Sequence, residues 1–301
     1  MTELQRYLAE EVAEEYADRL ITRREALRRL QLLGLGAAAT SALLASFPRA
    51  AAAARAAAGR AASSGEVRAA GPRPLPTAMI TFRGPGGRRL LGAWAAAKPS
   101  RGGVLVIHEN RGLTDHIRSV AGRFAASGYS ALAIDLLSEE GGTASLGDED
   151  AARAALGSVP ESRLVADAKA GLGELRRRLP DEKLAAVGFC FGGAMVWLLL
   201  TSREPRLAAA APLYGPFPEG GSFAGTRAAV LGIYGGLDDR VNATREAAQA
   251  ALERAGREHQ LVTFPRADHA FFNETGLRYD AAAAATAYRR VVNWFGRYVA
   301  S

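Results

Sequence analysis

The chain has 301 residues, 49% hydrophobic and 23% charged, enough for one large α/β domain or two small ones. Its net charge is +7, but the basic residues are scattered among acids and only Lys98, Lys169 and Lys183 are lysines, so no nucleic-acid groove is expected. The single cysteine, Cys190, excludes an internal disulfide, a Cys-based zinc site and an iron–sulfur cluster. The four histidines lack HExxH-type spacing, so neither a metal site nor another cofactor is expected.

Residues 1–58 differ from the rest. "TRREALRR" (22–29) sets Arg23 and Arg24 ahead of the uncharged run "LQLLGLGAAATSALLASF" (30–47), and "PRAAAAARAAAG" (48–59) then offers small-x-small sites for a signal peptidase. Together these resemble a twin-arginine export signal, with Ala26 where such signals often carry Phe and an unusually long leading segment, 1–21. The resemblance implies recognition by the twin-arginine translocation machinery and a periplasmic or otherwise extracytoplasmic location. A membrane anchor is the alternative, although the run is short and weakly apolar for stable insertion. Residues 59–76, with Pro72, Pro74 and Pro76, read as a linker.

The domain proper is expected over 77–301. "TAMITF" (77–82), a "RGPGG" turn and "RRLLGAWAAA" (88–97) predict a β-hairpin. The apolar run "GVLVIHE" (103–109) predicts a strand buried on both faces. A helix over 117–129, a strand over 130–137 and two helices ending before Pro180 come next. "KLAAVGFC" reads as a strand running directly into the helix "FGGAMVWLLLTS"; strands are expected at 207–215, 228–235 and 259–264, with helices near 242–256 and 280–299. This alternation predicts an α/β fold with a doubly wound, mostly parallel sheet. Such sheets bind ligands beyond the carboxyl ends of their strands.

Gly-Phe-Cys-Phe-Gly (188–192) has the form of a nucleophile elbow with Cys190 in the reactive position. The turn is strained, and a side chain at Gly188 or Gly192 would meet neighbouring backbone. The helix begun at Phe191 aims its positive end and free N–H groups at the sulfur, favouring a thiolate and an oxyanion site. A thiol nucleophile needs a base, and the base an orienting acid. "FPRADHAFFN" (264–273) supplies His269, and "YGGLDDRV" (234–241) supplies Asp238 or Asp239, each after a strand and in the order nucleophile, acid, histidine.

From about 77 to 300 the chain resembles the dienelactone hydrolase family, a branch of the α/β-hydrolase fold with a Cys–His–Asp triad. The stretches that carry the resemblance are "VLVIHENRGL", "AASGYSALAIDLL", "VGFCFGG", "PLYG", "YGGLDDRV" and "FPRADHAFF". It selects Asp238 over Asp239 and implies that Glu109 modulates ionisation of the nucleophile. It also implies that the Asn110 N–H joins that of Phe191 in the oxyanion hole, and that arginines hold a substrate carboxylate. Arg111 and Tyr214 are the candidates for substrate contact. The resemblance-free reading of Glu109 is an ion pair with Arg111 or another arginine. The implied activity is hydrolysis of a small lactone or activated ester, with a general carboxylesterase or thioesterase as the alternative.

Overall fold

The computed structural model describes residues 1–47 and 69–300. Eight strands form one sheet: β1 (Ala78–Arg83), β2 (Arg89–Ala95), β3 (Gly103–Ile107), β4 (Ser130–Asp135), β5 (Leu184–Phe189), β6 (Leu207–Leu213), β7 (Ala229–Gly235) and β8 (His259–Phe264). Their order across the sheet is β1-β2-β4-β3-β5-β6-β7-β8. The β1–β2 and β2–β4 pairs are antiparallel and the rest parallel, so the predicted hairpin forms one edge of a parallel sheet. Every residue of β3, β4, β5 and β7 is buried, as their unbroken apolar runs require of strands covered on both faces.

Seven helices follow or join these strands: α4 (Asp115–Ala126), α5 (Glu149–Ser158), α6 (Glu161–Arg178), α7 (Phe191–Thr201), the single turn α8 (Asp239–Asn242), α9 (Arg245–Arg254) and α10 (Ala281–Tyr298). β3, β4, β5 and β6 end one or two residues earlier than expected, and β7 and β8 end at the expected residues; the loops that follow β3, β5, β7 and β8 carry the candidate residues Glu109, Cys190, Asp238 and His269. Leu75 N–H donates to the Gly122 carbonyl and the Ala70 carbonyl accepts from Arg123, so the described end of the expected linker lies along α4.

The N-terminal segment also folds. α1 (Glu3–Ala17) begins with a capping box between Thr2 and Gln5, and α2 (Arg23–Leu32) is capped by Thr22. The uncharged run 30–47 is not one helix. Gly34, at φ 85°, ends α2 in a Schellman turn, with Gly34 N–H on Gln31 O and Leu35 N–H on Leu30 O; α3 (Ala37–Ser46) starts afresh. Among the described residues no helix is long and apolar enough to cross a membrane. Arg23 and Arg24 stand exposed in the first turn of α2. The candidate cleavage sites at 48–59 and the first part of the linker lie outside the described residues.

Candidate active site

β5 passes into α7 through Cys190, whose φ of 56° and ψ of −119° are costly for a side-chain-bearing residue and place the thiol at the strand's carboxyl end. The flanking glycines make the turn possible. A Cβ on Gly188 would stand 2.0 Å from the Gly192 carbonyl oxygen, and one on Gly192 would stand 2.2 Å from that of Ile107. Behind the elbow, Gly193 and Gly215 are in near backbone contact, which lets α7 press against the end of β6.

The β7 end delivers Asp238 and the β8 end delivers His269, both fully buried. Asp238 Oδ2 lies 2.6 Å from His269 Nδ1, while its Oδ1 accepts from the Val241 N–H. A ring nitrogen of His269 and Cys190 Sγ lie within 4.8 Å of each other. Burial, which disfavours an imidazolium, is outweighed by Asp238 and the thiol, so His269 is held well above its ordinary range. Burial likewise opposes the Asp238 carboxylate, but His269 keeps it below its ordinary value. The Cys190 thiol is pushed up by burial and by the Glu11 carboxylate, against the pull of His269.

The β3 end supplies Glu109 and Asn110, both buried. Glu109 Oε2 accepts from Asn273 Nδ2 at 2.5 Å, and Arg111 pairs instead with Glu149 at 3.1 Å. The simple ion-pair reading of Glu109 with Arg111 is therefore replaced by a hydrogen bond from a side chain that sequence reasoning did not single out. His108 was equally unremarked. Its Nε2 accepts from Leu136 N–H, which leaves Nδ1 as the donor to the Glu109 carbonyl at 2.6 Å. Burial keeps this imidazole neutral, it stacks on Phe191, and it fixes the backbone that carries the Asn110 N–H. Tyr214 does not line the cavity: it turns at φ 36° and sets its ring edge-on to His269 at 5.3 Å, so it supports the imidazole from behind.

A cavity of about 210 Å³ opens onto Cys190 and His269, with Asn110, Arg111 and Asn273 on one wall and Glu11 and Leu20 of the N-terminal segment on another. A larger depression of about 840 Å³, between the 220–227 loop and α9, contains no thiol, histidine or carboxylate and so offers no comparable chemistry.

The matched family is "Dienelactone hydrolase family", over residues 91–299. This chain belongs to that family. A protein of Escherichia coli O157:H7 described as "Putative carboxymethylenebutenolidase" is 32% identical over 208 residues, 65% of this chain and 76% of its own length. The crystal structure of a "Putative Dienelactone Hydrolase" from Klebsiella pneumoniae matches with a TM-score of 0.64 and 28% identity, covering 74% of this chain and all of the other. A dienelactone hydrolase-like promiscuous phosphotriesterase from metagenomic libraries matches with a TM-score of 0.59 and 25% identity, covering 75% and 99%. The mostly parallel sheet with helices on its faces is thus the α/β-hydrolase fold.

The dienelactone hydrolase match begins at residue 91, well after α1, yet α1 supplies two of the closest neighbours of the thiol. Tyr7 hydroxyl lies 3.4 Å from Sγ, and both Glu11 oxygens lie 3.6 Å from it. Glu11 Oε1 is also 3.9 Å from His269 Nε2. Nothing in the local sequence signals this, because the contact spans 179 residues. Glu11, Cys190 and His269 together present three donor atoms within 4.8 Å, a set able to take a soft divalent ion. The sequence-based expectation of no metal site considered only local ligand spacing.

Proposed function

We propose that the chain hydrolyses lactones or activated esters by covalent catalysis at Cys190, as a dienelactone hydrolase-like (carboxymethylenebutenolidase-type) hydrolase. The observation that carries this reading is the convergence of three strand ends on one point: a strained elbow thiol, an imidazole, and a buried carboxylate 2.6 Å from that imidazole. In the proposed sequence Cys190 attacks the carbonyl as thiolate, with its proton on His269. The N–H groups of Phe191 and Asn110 receive the oxyanion; Phe191 is the first residue of α7, so its N–H has no acceptor within the helix. The ring C–O bond breaks to give a thioester as the leaving enolate oxygen takes the proton from His269; the neutral imidazole then deprotonates the attacking water and returns that proton to the departing Cys190 sulfur, while Asp238 holds the imidazole.

A thiolate is itself a good leaving group, so its tetrahedral adduct reverts unless the other group departs more easily. An enol lactone releases a stabilised enolate and acylates the thiol readily, whereas an alkyl ester or amide does so less well. Arg111 is engaged by Glu149, so the reading does not require an anionic substrate, and a neutral activated ester or thioester remains the second reading. Glu109, held by Asn273 beside the elbow, is suited to bias thiol ionisation.

Export belongs to the same proposal. The exposed Arg23–Arg24 pair is accessible to a translocase, and a periplasmic or extracytoplasmic location is the expected result of cell fractionation. A full-length chain found only in the membrane fraction would favour the anchor instead.

The chemical test is single turnover with the full chain in excess over a dienelactone or a p-nitrophenyl ester, followed by intact-mass and peptide mapping. The expected result is an acyl increment on Cys190 and loss of hydrolysis by about 10³-fold or more in Cys190→Ala. Acylation elsewhere, or hydrolysis that exceeds the uncatalysed rate and is equal in the variant, would remove Cys190 from the mechanism.

A further inference from the structure

A reactive carbonyl must come within about 3–3.5 Å of a nucleophile along an open approach. At Cys190 that space holds Tyr7 hydroxyl at 3.4 Å and the Glu11 carboxylate at 3.6 Å. The thiol is 2% exposed and His269 is fully buried. The cavity that reaches Cys190 is thus narrowed at the sulfur itself by Glu11, and Tyr7 fills the space beside it, so a carbonyl has no open approach to Sγ while α1 is in place.

The way α1 is held explains why it rests there. α1 carries five glutamates, Glu3, Glu10, Glu11, Glu14 and Glu15, against one arginine, Arg6, and Asp18 follows at its end. The body meets this acidic helix with arginines. Arg240 pairs with Glu14 at 3.4 Å and lays its guanidinium 4.4 Å from the centre of the Tyr7 ring. Arg278 binds Asp18, and Arg153 reaches Glu15 at 3.5 Å. Apolar contact adds to the charges, since Leu8 and Val12 are fully buried. Gly157 of α5 leaves the room that Leu8 and Leu33 fill. α2 is fastened through Arg28 and Arg29 to Asp150, and Arg29 also holds Glu15 of α1 at 2.7 Å.

We propose that the mouth of the Cys190 site is a docking surface for an acidic helix, and that α1 is its resident occupant, keeping the intact chain latent until α1 leaves. Glu11 and Tyr7 then act as a pseudo-substrate, and Arg153, Arg240 and Arg278 form the receptor. The proposal rests on Cys190 being the nucleophile. Because α1 belongs to the same chain, its effective concentration at the site is on the order of mM, so even weak docking keeps the site closed. A form without that tether would open by dilution. The family match, which starts after α1, agrees with a body that contains the whole catalytic apparatus and a separate segment that covers it.

The test uses the full chain in three forms: wild type, Leu8→Asp with Val12→Asp to undo docking, and Tyr7→Ala with Glu11→Ala to remove the plug while keeping the buried apolar contacts. Two rates are read: alkylation of Cys190 by iodoacetamide, taken on the high-pH plateau where the thiol is ionised in every form, and hydrolysis of p-nitrophenyl acetate. Latency predicts that both rise by about tenfold or more in both variants. If the first variant fails to fold by circular dichroism, the second carries the test. Unchanged alkylation in the folded variants would overturn the docking surface as a barrier. Faster alkylation with slower hydrolysis would overturn latency, because α1 would then be part of the working site. Faster alkylation with no hydrolysis in any form would uphold the barrier and overturn Cys190 as nucleophile.

Discussion

At the scale of single residues, the Cys190 thiol sits between opposing charges. Glu11 and Glu109 disfavour the thiolate and His269 favours it, while burial raises the thiol further. Removing either carboxylate charge therefore favours the thiolate. We expect Glu11→Gln and Glu109→Gln each to move the midpoint of Cys190 alkylation to lower pH, and His269→Ala to move it higher. A pH series with iodoacetamide reads all three, and a rise in either Gln variant would contradict the assigned electrostatics. Cys190, His269 and one of two aspartates were legible in the chain because each follows a strand in the required order. The choice of Asp238 needed either the family resemblance or the 2.6 Å contact with His269. Asn273 was not legible, because its hydrogen bond to Glu109 depends on loops from different strands meeting in space, and His108 was not, because its Nε2 is fixed by the Leu136 N–H beyond the end of β4.

At the scale of an element, the strand–elbow–helix unit depends on absent side chains. Gly188→Ala or Gly192→Ala would drive a methyl group to within 2.0 or 2.2 Å of backbone oxygen. Neither β5 nor α7 can shift freely, since β5 is buried along its whole length inside the sheet and nearly every residue of α7 is buried. Each substitution is expected to cost about 4 kcal/mol or more, or to prevent folding. Gly147→Ala, whose added Cβ would meet nothing within 4 Å, is expected to stay within about 0.5 kcal/mol of wild type. Urea denaturation of the three variants distinguishes a steric requirement from a general intolerance of glycine loss. The sequence showed where most elements lie because buried parallel strands and amphipathic helices have different apolar periods. It did not show that 30–47 breaks at Gly34, since a small uncharged run is compatible with one helix or two.

At the scale of the whole molecule, a clasp built on Glu274 ties the loop after His269 to α4 and to the segment before β1. Glu274 lies 2.7 Å from His116 Nδ1 and 2.6 Å from Arg123 Nη2, and Arg123 also donates to the Ala70 carbonyl. Burial opposes the Glu274 carboxylate, but His116 and Arg123 hold it at about 2, against an ordinary 4.5. A folded value below the unfolded one gives stability that is complete above about pH 4.5 and is lost as pH falls through about 2. Glu274→Gln should therefore be less stable than wild type at pH 7, with the gap closing between pH 4.5 and 2. Urea midpoints across that window test it, and a gap independent of pH would mean that the carboxylate's charge is not what holds the clasp.

By itself, the sequence determined the strand–helix alternation, the elbow glycines and the chain order of thiol, acid and histidine. Those features are local or ordered along the chain, and periodicity and steric need expose them. Only the tertiary structure decided which carboxylate faces His269, what holds Glu109, and that the segment resembling an export signal lays Tyr7 and Glu11 against the thiol. Such contacts depend on the direction of side chains from elements far apart in sequence. No local pattern carries that information; the packing of α1 against arginines from three separate parts of the body does.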